Sequence, residues 1–146
     1  MYQRDYLLRM IEMMGDLIAG LLGKFRKGET AHAREDMDKL YNEFLKEDSA
    51  LFLSLPREKL TWSLLKSHDY THGHLEILAM LFDAEAELAS IEGRLKEAVD
   101  LSEKSIILFD FISGEKRTFS FEQEERIARI SKRIEELNNK ISKLKE

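Results

Sequence analysis

Apolar residues near the end of the chain recur in steps of three and four, while most positions between them are polar. They form a narrow seam on one predicted helix, made of Ile127, Ile130, Ile134, Leu137, Ile141 and Leu144. Such a helix is not stable alone in water, because its apolar edge stays exposed. We therefore expect the seam to cap the domain by packing on the fifth predicted helix, or to join two copies in an antiparallel homodimer.

Helical periodicity continues upstream, and helix-breaking residues are scarce, with seven glycines and one proline. The predicted helices span about 5–27, 30–45, 56–65, 75–91, 95–112 and 120–144, with an irregular apolar piece at 51–55. No window alternates apolar and polar residues over a convincing length, so strands are not expected. The sequence predicts an all-α bundle of about six helices, divided into a helical domain at 1–118 and a C-terminal helix at 119–146.

The first predicted helix has a broad apolar face, to which Leu7, Ile11, Met14, Ile18, Leu21 and Phe25 contribute. Gly15, Ala19 and Gly23 recur every four residues beside it. Small side chains let a second helix approach closely, at some cost in helix propensity. We expect this track to mark a tight crossing with another helix of the same chain.

The helices at 75–91 and 95–112 are separated only by a short segment around Gly93, which predicts a helical hairpin. Small residues at Ala86, Ala98 and Ser105 partly match the spacing of a tetratricopeptide (TPR) repeat. Other positions depart from that pattern, with polar or small residues where it has large ones: Glu85, Ala89, Ser102 and Asp110. The pattern therefore favours a divergent, TPR-like hairpin.

This hairpin, together with the opening segment Arg4-Asp5-Tyr6-Leu7-Leu8-Arg9-Met10-Ile11-Glu12, resembles a bacterial family of small TPR-like helical proteins of unknown function. The resemblance covers about residues 1–112. It implies a helical scaffold that binds another protein or a peptide. The helix after Ser120 lies outside it.

The composition of the chain disfavours or excludes several classes of function. With 35% charged residues and a net charge of −5, the surface is mildly acidic, which disfavours nucleic-acid binding. The longest early apolar run, residues 17–23, is too short to span a bilayer, and we expect no leader sequence because the opening residues lack a basic stretch followed by an apolar core. The chain has no cysteine, which excludes disulfides, thiol catalysis and cysteine-bound zinc. We expect a cytoplasmic protein.

One segment carries residue types that bind metals. His68, Asp69, His72 and His74 fall within seven residues. His68 and His72 would share a face of a helix, but Gly73 and the polar neighbours favour a loop between helices. The alternatives are a metal site, serving a metal-binding protein or a metal-dependent enzyme, and a connection in which Asp69 or Thr71 caps the next helix.

The sequence contains no catalytic motif: it lacks a Gly-x-Ser-x-Gly elbow, a glycine-rich phosphate loop and the paired Glu-x-x-His motifs that hold two metals in a helical bundle. We therefore predict a non-catalytic scaffold without a cofactor. The first helix offers a polar and aromatic ledge for peptide capture, made of Arg4, Tyr6, Arg9 and Glu12. Arg9 also lies four residues after Asp5, so a simple surface ion pair is the alternative.

Overall fold

Helices make up most of the chain, as the apolar periodicity predicts. The computed structural model describes residues 2–68, 70–116 and 121–145, and side chains at 6–68, 70–114 and 121–145. Within these ranges there is no strand, which confirms the all-α prediction. The elements are α1 (Tyr2–Arg26), α2 (Ala33–Leu45), α3 (Ser49–Leu53), a 3₁₀ turn (Arg57–Lys59), α4 (Trp62–Ser67), α5 (His72–Ile91), α6 (Leu95–Lys116) and α7 (Phe121–Leu144).

The described chain has seven α-helices, where about six were predicted. The added helix, α3, lies in the segment predicted to be irregular, and its five residues are too few for periodicity to reveal. It buries Phe52 completely. The expected cap at Thr30 is wrong, because α2 begins at Ala33 after His32 without a side-chain cap. The predicted cap at Ser120 lies outside the described residues.

The helix α5 occupies the centre of the bundle. It packs against α1, α2 and α6, and α7 in turn packs against α6. Because neighbours cover it on several sides, α5 is apolar nearly all round, and its buried residues are Leu75, Ile77, Leu78, Ala79, Met80, Leu81, Phe82, Ala84, Glu85, Ala86, Leu88 and Ala89. The other helices therefore fold by covering this one.

The pair α5 and α6 forms the predicted hairpin. Its turn passes through Gly93 at φ 81°, a conformation that favours glycine. Ala86 and Ala98 are fully buried, and the Ser105 hydroxyl donates to the Ala79 carbonyl at 2.7 Å. The small residues thus lie in the core, where they permit close helix contact. The TPR-like assignment itself stays a prediction.

Three carboxylates of α5, Glu87, Glu85 and Asp83, reach three different surrounding helices. Glu85 is buried and accepts two hydrogen bonds from Arg34 of α2, at 3.0 and 2.6 Å. Glu87 accepts one from Arg26 of α1 at 2.7 Å. Because Glu85 is buried and its ion pair with Arg34 is bidentate, loss of Arg34 would leave an uncompensated carboxylate in the core.

The helix α7 is held to its own chain by the third carboxylate, Asp83. Arg129 and Arg133 both donate to Asp83 at 2.7 Å, and Arg133 also donates to the Ser102 hydroxyl of α6 at 3.1 Å. Burial opposes ionisation of Asp83, but the Arg129 hydrogen bond and the two positive charges outweigh it and hold its pKa below the usual value. These contacts fix the rotation of α7 about its axis.

The seam of α7 lies on the side that faces α6. Ile130 and Leu137 are buried, Ile127, Ile134 and Ile141 are partly buried, and Leu144 is exposed. Of the two arrangements expected for the seam, the structure has the intramolecular one.

The small-residue track of α1 does not form the tight crossing that we expected. Gly15 faces α5, where a Cβ would lie 3.6 Å from the Cε of Met80. Ala19 is exposed, and a Cβ on Gly23 would meet nothing within 4 Å. The prediction is wrong at these two positions because α1 has a neighbour on only one side of the track. No helix within the described ranges combines the length and apolar character that membrane crossing requires.

We expect Asp83→Asn to destabilise the protein, because it leaves the largely buried Arg133 without a full countercharge. The free energy of unfolding should fall by about 2–4 kcal/mol, measured by urea denaturation followed by circular dichroism. The matched control is Glu135→Gln on the exposed side of α7. This substitution should change the free energy of unfolding by less than about 0.5 kcal/mol. Equal effects of the two substitutions would contradict the role given to Asp83.

Candidate functional site

The histidine segment joins α4 to α5 and begins α5. His68 follows the last residue of α4, and His72 is the first residue of α5. The sequence predicted a loop across this segment. The loop is shorter than that, because His72, Gly73 and His74 are helical. The close approach of Leu7, whose Cδ1 would lie 3.2 Å from a Cβ at position 73, explains why glycine suits this turn.

His74 caps the central helix. The Thr71 N–H donates to its Nδ1 at 3.1 Å, and together they form a capping box at the start of α5. The sequence left open a metal site or a helix cap in this segment, and the structure has the cap by Thr71. Nδ1 accepts a hydrogen bond only while it is unprotonated, and burial lowers the pKa of His74 accordingly.

Aromatic contacts hold the rest of the segment in place. The Tyr70 ring stacks on His74 with centroids 4.8 Å apart, and its hydroxyl donates to the Leu45 carbonyl at 2.7 Å. Burial, assisted by Glu47, raises the pKa of Tyr70 to about 12, so this donor stays protonated. His72 stacks on Phe111 of α6 at 5.8 Å. These contacts hold α2 and α6 against the start of α5.

The residues of the predicted metal site do not converge. Within the described part of the chain, no three histidine, aspartate or glutamate side chains gather in a way that suits a metal ion. His74 uses Nδ1 for the cap, His72 lies against Phe111, and His68 lies against Tyr70. Asp69 lies outside the described residues. The three histidines of this segment therefore take part in helix capping and aromatic packing.

The ledge predicted on the first helix faces solvent. Tyr6 is 65% exposed, and Arg9 and Glu12 are exposed as well. The side chains of Arg4 and Asp5 lie outside the described ones, so the ion pair considered for Arg9 is not described. Neither Arg9 nor Asp16 takes part in an ion pair within the part of the chain that the structure describes.

The ledge continues into an apolar stripe that the sequence did not single out. Met13 is 53% exposed and Leu17 is 42% exposed, and Met10 is half-buried between them and Tyr6. The positions 6, 10, 13 and 17 alternate steps of four and three, so they share one edge of α1. We call Tyr6, Met10, Met13 and Leu17 the α1 stripe.

The α1 stripe runs along one edge of the buried face of α1. Met14, Ile18 and Phe25 are buried, and the centre of the face that they form lies about 90° around the helix from the stripe. The side opposite this face carries Arg9 and Asp16, which are exposed. The stripe is therefore an exposed apolar edge at the α1 end of the helical stack α1, α5, α6 and α7.

The two ends of this stack differ in polarity. On α7, the outward side is made of polar and charged exposed residues, including Ser131, Glu135, Asn138 and Ser142. On α1, the exposed surface includes the three large apolar side chains Tyr6, Met13 and Leu17. The terminal helix α1 therefore has a mixed outer surface, with polar residues opposite its buried face and an apolar edge beside that face.

A cleft between α1, α5 and α7 is the other candidate site. It has a volume of about 360 Å³ and is lined by Arg26, Arg129, Lys132 and Arg133 among others. Three of these cations are already paired, Arg26 with Glu87 and the arginines of α7 with Asp83. The cleft is therefore largely neutralised by its own carboxylates, and the α1 stripe is the stronger candidate.

Comparison with protein-family models, curated proteins and solved structures gives no match for this chain. The resemblance of residues 1–112 to TPR-like proteins stays a prediction.

We expect the capping role of His74 to make stability depend on pH. Its pKa is lowered in the folded protein, so its contribution is fully present above the unfolded value of about 6.5 and is lost as the pH falls through the folded value. His74→Gln keeps an acceptor at the third helical position but does not titrate. The urea midpoint of the wild type should fall more between pH 7.5 and pH 5 than that of this variant. Equal falls would mean that His74 protonation does not matter.

Proposed function

We propose that the protein is a non-catalytic interaction scaffold that binds a helix of a partner polypeptide along the α1 stripe. The observation that carries the proposal is the exposure of Tyr6, Met13 and Leu17 in one row along α1. Apolar side chains exposed in a contiguous patch are characteristic of protein-binding surfaces.

A helical partner fits the stripe better than an extended peptide. From Tyr6 to Leu17 the stripe runs about 16 Å along α1, which is about three helical turns. Its alternating spacing of four and three residues is the spacing that packs knobs into holes on a second helix. An extended strand binds through backbone hydrogen bonds, and the backbone groups in the middle of α1 are already used within the helix.

Charged residues beside the stripe set the orientation of a bound helix. Arg9 and Asp16 lie one on each side of Met13 along the helix, and both are exposed. Opposite charges at the rim of an apolar contact select partners and register more than they add affinity. The residues predicted for peptide capture, Tyr6 and Arg9, belong to this surface, while Glu12 lies further round the helix. The metal-dependent alternative has no comparable support, because its histidines are used for packing.

We expect a photoreactive amino acid at Met13 to form a covalent product with a polypeptide in cells that express the chain. Because Met13 is half-exposed and belongs to no ion pair or core contact, the substitution should leave the fold intact. A second substitution, Leu17→Glu, should abolish the product, since it places a charge in the apolar contact. Mass spectrometry of the product identifies the bound polypeptide.

The matched control is the same photoreactive residue at Glu35, which is exposed on α2 away from the stripe. It should give no product of the same mass. A product that forms equally at both positions, or that persists with Leu17→Glu, would contradict binding at the α1 stripe.

A further inference from the structure

Several helix termini meet at one end of the bundle. Arg26, the last residue of α1, donates at 2.7 Å to Glu87, which is near the end of α5. The helix α6 starts just after α5 ends, on the other side of Gly93. A cleft of about 470 Å³ joins this turn to the end of α7, because Gly93 and Leu144 both line it. The ends of α1, α5 and α7 and the start of α6 therefore lie at the same end of the molecule.

This end of the molecule is positively charged. It comprises residues 24–36, 87–97 and 138–145, which we call the basic end. These residues include nine cations and six carboxylates, so their net charge is +3, while the rest of the chain carries −8. The contrast is present within α7 alone, whose first turn contains Glu122 and Glu124, whereas residues 138–145 contain three lysines and no carboxylate.

Much of the positive charge at the basic end is not used within the chain. Its arginines, Arg26, Arg34 and Arg94, are each paired with a carboxylate. Its lysines are exposed and take part in no ion pair within the ranges that the structure describes: Lys24, Lys27, Lys96, Lys140, Lys143 and Lys145. Charges that are not paired within the chain remain available to attract an anionic surface.

Helix stability explains only part of this charge. A cation near the end of a helix is stabilised by the helix dipole, which explains Lys24 of α1 and Lys143 of α7. Lys96, in contrast, is in the first turn of α6, where the dipole disfavours a cation. Its charge opposes the stability of its own helix, so a binding role accounts for it better.

Exposed aliphatic side chains accompany the lysines. Leu144 is 77% exposed between Lys143 and Lys145, and Ile91 is 42% exposed at the end of α5. The basic end lies wholly within the described residues, and Phe25, its one phenylalanine, is buried. Single-stranded nucleic acids bind through bases stacked on exposed aromatic rings. Aliphatic side chains among lysines instead match a bilayer surface, where apolar acyl chains lie just below anionic headgroups.

We propose that the basic end binds the surface of a lipid bilayer that contains anionic lipids, which is an activity beyond the proposed function. The lysines lie among the headgroup phosphates, while Leu144 and Ile91 enter the boundary with the acyl chains. Lysine suits this contact because its compact charge on a flexible stem needs no fixed partner geometry. The α1 stripe ends about 10 Å before Lys24 along α1, so membrane binding leaves the stripe accessible.

The test is co-sedimentation of the protein with large unilamellar vesicles. Vesicles of phosphatidylcholine and phosphatidylglycerol should bind the protein, and vesicles of phosphatidylcholine alone should not. Raising the salt concentration from about 0.05 to about 0.5 M should weaken binding by at least about tenfold, because salt screens the attraction between exposed charges. Equal binding to the two kinds of vesicle, or no binding to the anionic ones, would overturn the proposal.

Charge removal identifies the surface that binds. A triple variant at the end of α7 should raise the dissociation constant for the anionic vesicles by at least about tenfold: Lys140→Gln, Lys143→Gln and Lys145→Gln. The matched control removes the same charge from exposed lysines outside the basic end: Lys39→Gln, Lys59→Gln and Lys66→Gln. It should change the dissociation constant by less than about threefold, because distant surface charges are screened. Equal weakening by both variants would contradict binding through the basic end.

Tryptophan fluorescence reports which end of the molecule touches the bilayer. The chain's one tryptophan, Trp62, is 55% exposed and packs on Phe111, at the other end of α6 from Lys96. Its emission should not change when anionic vesicles are added. A Leu144→Trp variant with Trp62→Phe should shift its emission to the blue, because the new ring enters an apolar environment. A blue shift of Trp62, with none at position 144, would overturn the assigned orientation.

Anionic polymers provide the last comparison. If the protein binds an oligonucleotide or a polyglutamate peptide but not the anionic vesicles, and the triple variant of α7 loses this binding, the lipid assignment is wrong. These measurements do not involve the α1 stripe. The outcome of photocrosslinking at Met13 therefore tests the proposed function independently.

Discussion

The structure depends on covering one helix that is apolar nearly all round. The buried side chains of α5 occupy successive positions rather than one stripe, so no single neighbour can shield them. The helices α1, α2 and α6 share this task, and the capping box of Thr71 and His74 fixes where α5 begins. The order of packing in the bundle follows from the need to remove this one surface from water.

Apolar contact alone does not set the rotation of each surrounding helix, and the carboxylates of α5 do this. Glu87, Glu85 and Asp83 bind cations from α1, α2 and α7 respectively. A methyl group can pack in several rotations, but a buried carboxylate has a low free energy only when its partner is in place. The arginines therefore select one arrangement among several that would bury similar apolar area.

The helical stack covers its apolar residues more completely at one end than at the other. At the α7 end, the apolar seam faces α6 except at Leu144, which is exposed. At the α1 end, the α1 stripe extends beside the buried residues as an exposed apolar edge. The chain itself thus covers most of the α7 seam and leaves most of the α1 stripe exposed.

The sequence by itself determined the all-helical class and the hairpin of α5 and α6, because periodicity and glycine placement are local properties. It also pointed to Tyr6 and Arg9. It did not show that Met13 and Leu17 stay exposed while Ile130 is buried, because apolar residues on a helix look alike until their neighbours are known. Nor did it separate a metal site from a cap at the histidines, since both use the same residue types. Tertiary packing decided these points. It determines which apolar face of a helix is covered, and which histidine ring nitrogen accepts a hydrogen bond.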